Sequence, residues 1–182
     1  NIMLYDPDAK DLEFTTFGTA MTFEILYREY FAGRTYIFET LTQNQSNAIY
    51  RLITRLRSQN LALPEIAKQI TTTVNGFSRF RAARIARTET HSAASHASHF
   101  YNKRISEQIG QTLFKRWVAV GDERTRTSHA NANGQVVGMD EDFQINGTLM
   151  KHPGDPRGGA KNVVNCRCVL VYVDEDDLGL IN

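Results

Sequence analysis

Two thiols and an imidazole dominate the chemistry this sequence can offer. Cys166 and Cys168 flank Arg167 in the run Asn165-Cys166-Arg167-Cys168. On an extended strand alternate side chains share a face, so both sulfurs project together while Arg167 turns away. Their Cα atoms then lie about 6.5–7 Å apart with near-parallel side chains, at the upper edge of disulfide geometry. A metal ion bridges such a pair more easily than a disulfide does. Tetrahedral zinc needs two further ligands. His129 and His152 supply imidazoles outside the long helical stretch, with Asp122 as an oxygen alternative. The one-residue gap between the cysteines matches no standard zinc-finger spacing. Free cysteines are also common core residues, so the residues alone leave a metal site and a buried apolar role side by side.

The run from Asp122 to His129 adds an acid, two guanidinium groups, hydroxyls and an imidazole after Gly121. If residues 125–132 form a short helix, Asp122 caps or flanks its start and His129 lies one turn beyond Thr125 and Arg126. An Asp122–His129 pair could run acid-base chemistry, and three protein ligands to a metal would leave a position for water. That is the reading of a metal-dependent hydrolase or nuclease. No nucleophile accompanies the pair, so a structural or metal role is expected first. A separate feature is cationic: Arg79, Arg81, Arg84, Arg87, Lys103 and Arg104 face only Glu89 and Glu107 within one segment. Arg79, Arg84 and Arg87 are the candidates for contact with nucleic-acid phosphates. The alternative is pairing with the acidic runs Asp140 to Asp142 and Asp174 to Asp177. His91, His96 and His99 form no i, i+4 pair and read as packing groups.

Helices up to about Gly110 and strands with turns beyond it must position these groups. Large apolar residues recur at helical spacing from Phe14 to Phe31 and from Asn47 to Gln59. Pro64 suits the first turn of a third helix, which Asn75-Gly76 stops. Ser78 is placed to cap a long helix over 79–109, uninterrupted by Pro or Gly. Its middle, Ser92 to Ser98, is built of small side chains that permit close approach of a neighbour. Leu113 to Val120 reads as a strand, and Asn146-Gly147 joins two flanks into a hairpin because both residues tolerate positive φ. The Pro- and Gly-rich stretch His152 to Ala160 reads as loop, followed by a strand over Asn162 to Val173 and a solvated acidic end.

Composition sets the outer limits. The chain has 182 residues, 41% hydrophobic and 23% charged, which is an ordinary globular balance and excludes collagen-like and disordered classes. With 21 Lys plus Arg against 20 Asp plus Glu, nucleic-acid binding would have to come from a local patch. The apolar run Cys168 to Val173 is far short of the roughly 20 residues that span a bilayer, so no membrane partner is expected. No basic start with an apolar run follows Asn1, so a secretory signal is not expected either, and a chain opening on Asn reads as a possible piece of something longer.

Taken in order, Arg81 to Glu89, then Trp117 with Asp122-Glu123-Arg124-Thr125-Arg126-Thr127-Ser128-His129, then Pro153-Gly154-Asp155, then Asn165 to Cys168, resemble one arrangement. It is that of the phage Mu F-like minor head protein family, also described as the phage head morphogenesis domain. The likeness covers Pro64 to Val173, with the earlier helices as a lead-in. The resemblance implies an α+β fold: a helical arm over 1–76 and, over 77–182, a module of the long helix and a small antiparallel sheet with a zinc clip. It implies a virion protein of head assembly, found at the capsid interior or portal vertex and in the host cytoplasm during assembly. Portal and capsid proteins, packaged double-stranded DNA and further copies of the chain are the implied partners. No settled enzyme activity is implied, and some relatives carry toxin domains downstream. The family's acid, imidazole and two thiols fall on Asp122, His129, Cys166 and Cys168, whereas His152 lies outside its motif. Arg87, Glu89, Trp117, Arg124 and Arg126 then read as structural, with Arg87 and Glu89 locking the long helix to the loop that carries the other two arginines.

Overall fold

The computed structural model describes residues 42–74 and 76–178, so the amphipathic segment from Phe14 to Phe31 lies outside the described residues. Helix α1 (Gln43–Ser58) opens on a reciprocal cap. The Thr42 hydroxyl accepts from the Gln45 backbone N–H at 3.2 Å, and the Gln45 side chain accepts from Thr42 N–H at 3.1 Å. Helix α2 (Leu63–Thr73) places Pro64 in its first turn, where no backbone donor is lost. Helix α3 (Arg79–Ile109) starts at Ser78, whose hydroxyl accepts from Arg81 N–H at 3.2 Å, and stops at left-handed Gly110. Ile49, Ile53, Ile66, Ile70 and Ile85 are buried together, so α1 and α2 share one core with the first half of α3.

Beyond α3 the chain forms β1 (Leu113–Val118), α4 (Thr127–Ala132), β2 (Val136–Gly138), β3 (Phe143–Ile145) and β4 (Thr148–Met150). A 3-10 turn (Pro156–Gly158), α5 (Gly159–Val163), β5 (Val169–Asp174) and α6 (Glu175–Leu178) complete the described chain. Strand β1 lies between β2 and β5, antiparallel to both, while β3 and β4 form a separate hairpin. The hairpin turns at Asn146 and Gly147, with φ of 51° and 75°, the double positive-φ geometry that Asn-Gly accepts at little cost. A second core gathers Trp117, Phe143, Ile145, Met150 and Val163 with both cysteines. The architecture is α+β, with a long helix and small antiparallel sheets.

Three sequence expectations need correction. Asn162 and Val163 end a helix and are not strand residues, and β5 begins only at Val169, so neither cysteine lies on a strand. Asn165 adopts φ of 55° and Cys166 N–H closes a turn onto Val163 O at 3.0 Å, which breaks extended geometry ahead of the thiols. The stretch from His152 to Ala160 contains the 3-10 turn and the start of α5, because Asp155 caps it by accepting from Arg157 N–H at 2.9 Å. The acidic end is a short helix, in which Asp174 accepts from Asp177 N–H at 2.9 Å.

The small-residue stretch of α3 does receive a neighbour. Gly154, at φ of 80°, lies against Ser92 so closely that an added Cβ would sit 2.8 Å from the Ser92 Cα. On the same side of the helix, the Thr88 hydroxyl accepts from Asn165 N–H at 3.0 Å. The cysteine turn and the Pro153-Gly154-Asp155 loop are therefore both seated on α3.

Candidate metal centre

The cysteine turn, held to α3 through Thr88, meets helix α4, which presents His129 inward. His129 Nδ1 stands 3.3 Å from Cys168 Sγ and 3.7 Å from Cys166 Sγ. All three residues are buried, and their ligand atoms lie within 4.8 Å of one another, so the group can hold a metal ion. It is the one such group among the described residues. Trp117, fully buried on β1, packs edge-on against the His129 ring at 5.7 Å between centroids and fixes its plane. The sulfurs also interact with each other. A hydrogen bond from Cys168, aided by the Arg126 charge, makes the Cys166 thiol more acidic, while the same contact and burial push Cys168 up.

The other sequence candidates are placed apart. Asp122 grips Arg167 in a two-pronged ion pair, both contacts 2.6 Å, and also accepts from Arg124 N–H at 3.1 Å and the Thr125 hydroxyl at 3.0 Å. That pairing holds its carboxyl far below the usual range and keeps it outside the three-ligand group. The acid therefore shapes the loop before α4 and ties it to the cysteine turn through Arg167. Arg126 donates to Val164 O and so reaches the same turn from the other side. Arg124 is exposed and lines a recess together with His129 and Cys168.

His152 pairs with His96 instead, Nε2 to Nδ1 at 3.3 Å, while its own Nδ1 lies 3.0 Å from Pro153 O. The His99 ring stands 6.0 Å from it. Burial lowers His152 to about 4, against the opposing pull of Pro153 O and the Asp155 charge, and burial with Lys115 nearby lowers His99 to about 3. On α3, Arg79, Arg84 and Arg87 are exposed and Glu89 is fully buried. The guanidinium of Arg79 covers the exposed Phe80 ring at 5.0 Å. Of the basic residues on this helix, Lys103 bridges to Asp140.

Sequence reasoning missed three residues that build this region. Thr88, next to the arginines that drew notice, supplies the hydroxyl that anchors the cysteine turn. Lys115 is fully buried, donates to Lys151 O at 2.9 Å and is lowered to about 8 by burial. Its two-residue offset from Trp117 on one strand is the signal that put both on the inner face. Arg157 joins Asp142 and Asp155, with contacts of 2.8 and 2.7 Å.

Known proteins resemble the chain in sequence. Residues 57–171 match the family described as phage Mu protein F like protein, which is more than half of the chain. The chain belongs to that family. Among relatives, the minor head protein GP7 of Bacillus phage SPP1 is 42% identical over 65 residues, 35% of this chain and 21% of that protein. NAD(+)--arginine ADP-ribosyltransferase EFV of Enterococcus faecalis is 35% identical over 135 residues, 74% of this chain and 26% of that protein. The uncharacterized protein YqbB of Bacillus subtilis is 37% identical over 109 residues, 57% of this chain and 34% of that protein. The chain thus spans between a fifth and a third of the length of these relatives. No solved structure matches it. In this Mu F-like chain the family match takes in α2, α3, α4, strands β1 to β4 and both cysteines, and ends within β5. No described helix is long and apolar enough to cross a membrane.

Proposed function

We propose that this chain is a minor head protein of a tailed phage or prophage, acting in head morphogenesis. Family membership, together with the likeness to a phage minor head protein, carries the reading. Residues 1–76 would serve as a helical arm for portal, capsid or self-association contacts, and 77–182 as the compact module. The exposed Arg79, Arg84 and Arg87 would meet phosphates of packaged DNA, a contact whose strength falls steeply with salt. The chain would then be found in the virion, and in the host cytoplasm during assembly. Mass spectrometry of purified heads tests this directly. Its presence in heads is the expected result, and normal heads forming without it would overturn the assignment.

Within that role, zinc held by His129, Cys166 and Cys168 would clip α4 to the cysteine turn. The donor set fits: two sulfurs and one imidazole suit a borderline-soft ion. Zn–S bonds of about 2.3 Å and a Zn–N bond of about 2.0–2.1 Å in a tetrahedron put each N···S edge at about 3.5 Å. The distances here, 3.3 and 3.7 Å, straddle that value. A sheet module this small has little apolar core, so a bound ion would contribute much of its stability. Metal analysis should find about one zinc per chain, lost on replacing Cys168 with Ser.

A further inference from the structure

The three-ligand group leaves one tetrahedral position to fill, and the surroundings of that position are distinctive. Two of the three ligand residues, His129 and Cys168, line a recess of about 10 Å³, the room of one water. Its walls carry three guanidinium-bearing residues, Arg124, Arg126 and Arg167. Asp122 neutralises Arg167, and Arg126 donates to Val164 O while keeping its charge. Arg124 stands exposed at the rim, with its backbone and not its side chain engaged by Asp122. Two thiolates balance a divalent ion, so the arginines leave the recess net positive. No fourth His, Cys, Asp or Glu converges on the group among the described residues.

We propose that this recess is the fourth coordination position, and that it takes one oxygen of a phosphate-type oxyanion whose remaining oxygens meet Arg124 and Arg126. This rests on the metal reading above. The volume admits a single oxygen at the ion, and guanidinium forks suit the oxygens left outside. Such a centre is exchangeable, unlike a closed structural site with four protein ligands. The rival within the chain is His91 on α3. It hydrogen-bonds the Cys168 backbone and keeps its Nε2 buried without a partner. Were it to rotate in, the site would be closed.

The test uses the full chain with cobalt(II) in place of zinc, read by its visible absorption. Inorganic phosphate should shift the bands saturably. Arg124→Ala should weaken that phosphate response roughly three- to ten-fold and Arg124→Glu further, with metal uptake unchanged. A duplex oligonucleotide carrying a 5′-phosphate is the second arm. Displacement of the phosphate signal would identify nucleic acid as the source of the oxyanion, and no displacement would identify free phosphate. Full metal uptake with bands indifferent to phosphate, or altered by His91→Phe, overturns the open position and leaves the clip standing. No uptake of metal overturns both.

Discussion

Replacing Gly154 with Ala separates two costs that the structure locates in different places. The residue sits at φ of 80°, where an L side chain is strained by about 1–2 kcal/mol. The new methyl would also lie 2.4 Å from Ser92 Oγ and 2.8 Å from Ser92 Cα. The hydroxyl can rotate away, but the Cα belongs to the backbone of α3 and cannot. The loop must lift off the helix, at a cost of about 1–3 kcal/mol by analogy with overpacked cores. Gly147→Ala is the control, because it carries the same strain at φ of 75° with nothing within 4 Å of the added methyl. At about 2–4 °C per kcal/mol for a chain of this size, Gly154→Ala should melt roughly 5–15 °C below the parent and Gly147→Ala only a few degrees below. The single tryptophan, Trp117, lies in the second core and reports the transition by fluorescence. Equal melting of the two variants would refute the close approach of loop and helix.

Three further outcomes follow from the same geometry. Chelator treatment should lower the melting temperature of the parent and leave Cys168→Ser unmoved, since the variant has already lost a ligand; equal sensitivity of the two in calorimetry would dismiss the clip. Thr88→Val removes the acceptor of Asn165 N–H and should cost about 1 kcal/mol, read as a lower urea midpoint. Acid should weaken the fold through His152 and His99, whose folded values of about 4 and 3 lie below the ordinary 6.5. Above about pH 6.5 both states are neutral there. As the pH falls the unfolded chain takes up protons first, so stability drops from 6.5 towards 4. At pH 5 the loss is roughly 2 kcal/mol for His152. Urea midpoints that do not fall between pH 7 and 5, or that fall as steeply in His152→Gln, would contradict the burial of these rings.

The long helix was legible residue by residue because its signals are local: a hydroxyl at Ser78, no breaker for 31 residues, and Gly110 able to turn left-handed. The Asn146-Gly147 hairpin was legible for the same reason. Convergence of His129 with the two cysteines was also anticipated, but through the wrong local geometry. Strand alternation was expected to align the sulfurs, whereas a turn at Asn165 does so. That turn draws on a hydroxyl 77 positions away, on Thr88, and such long-range contacts leave no periodic trace. The same limit hid the partner of Asp122. An acid seven residues before a histidine resembles a ligand or a base, and only the folded chain brings Arg167 to it. The burial of Lys115 escaped notice because a charged residue on a strand is ordinarily solvent-facing.

What unites these contacts is one face of α3. Thr88, Ser92 and His96 follow at i, i+4 and i+8, so they stack along a single side of the helix, with His99 one turn further. The cysteine turn takes Thr88, the Gly154 loop takes Ser92, and His152 takes His96. A face of this kind buries little apolar area, and β5 leaves Val169 and Val171 exposed, so hydrophobic burial alone docks the sheet weakly. Directional contacts, each worth about 1 kcal/mol, must set the register of both loops on the helix. Their spacing explains why the recognisable motifs lie so far apart in sequence, since each marks a place where the chain returns to one rod. It also couples the ends of the module. A shift of α3 by one turn would move the cysteine turn off Thr88 and take the sulfurs with it.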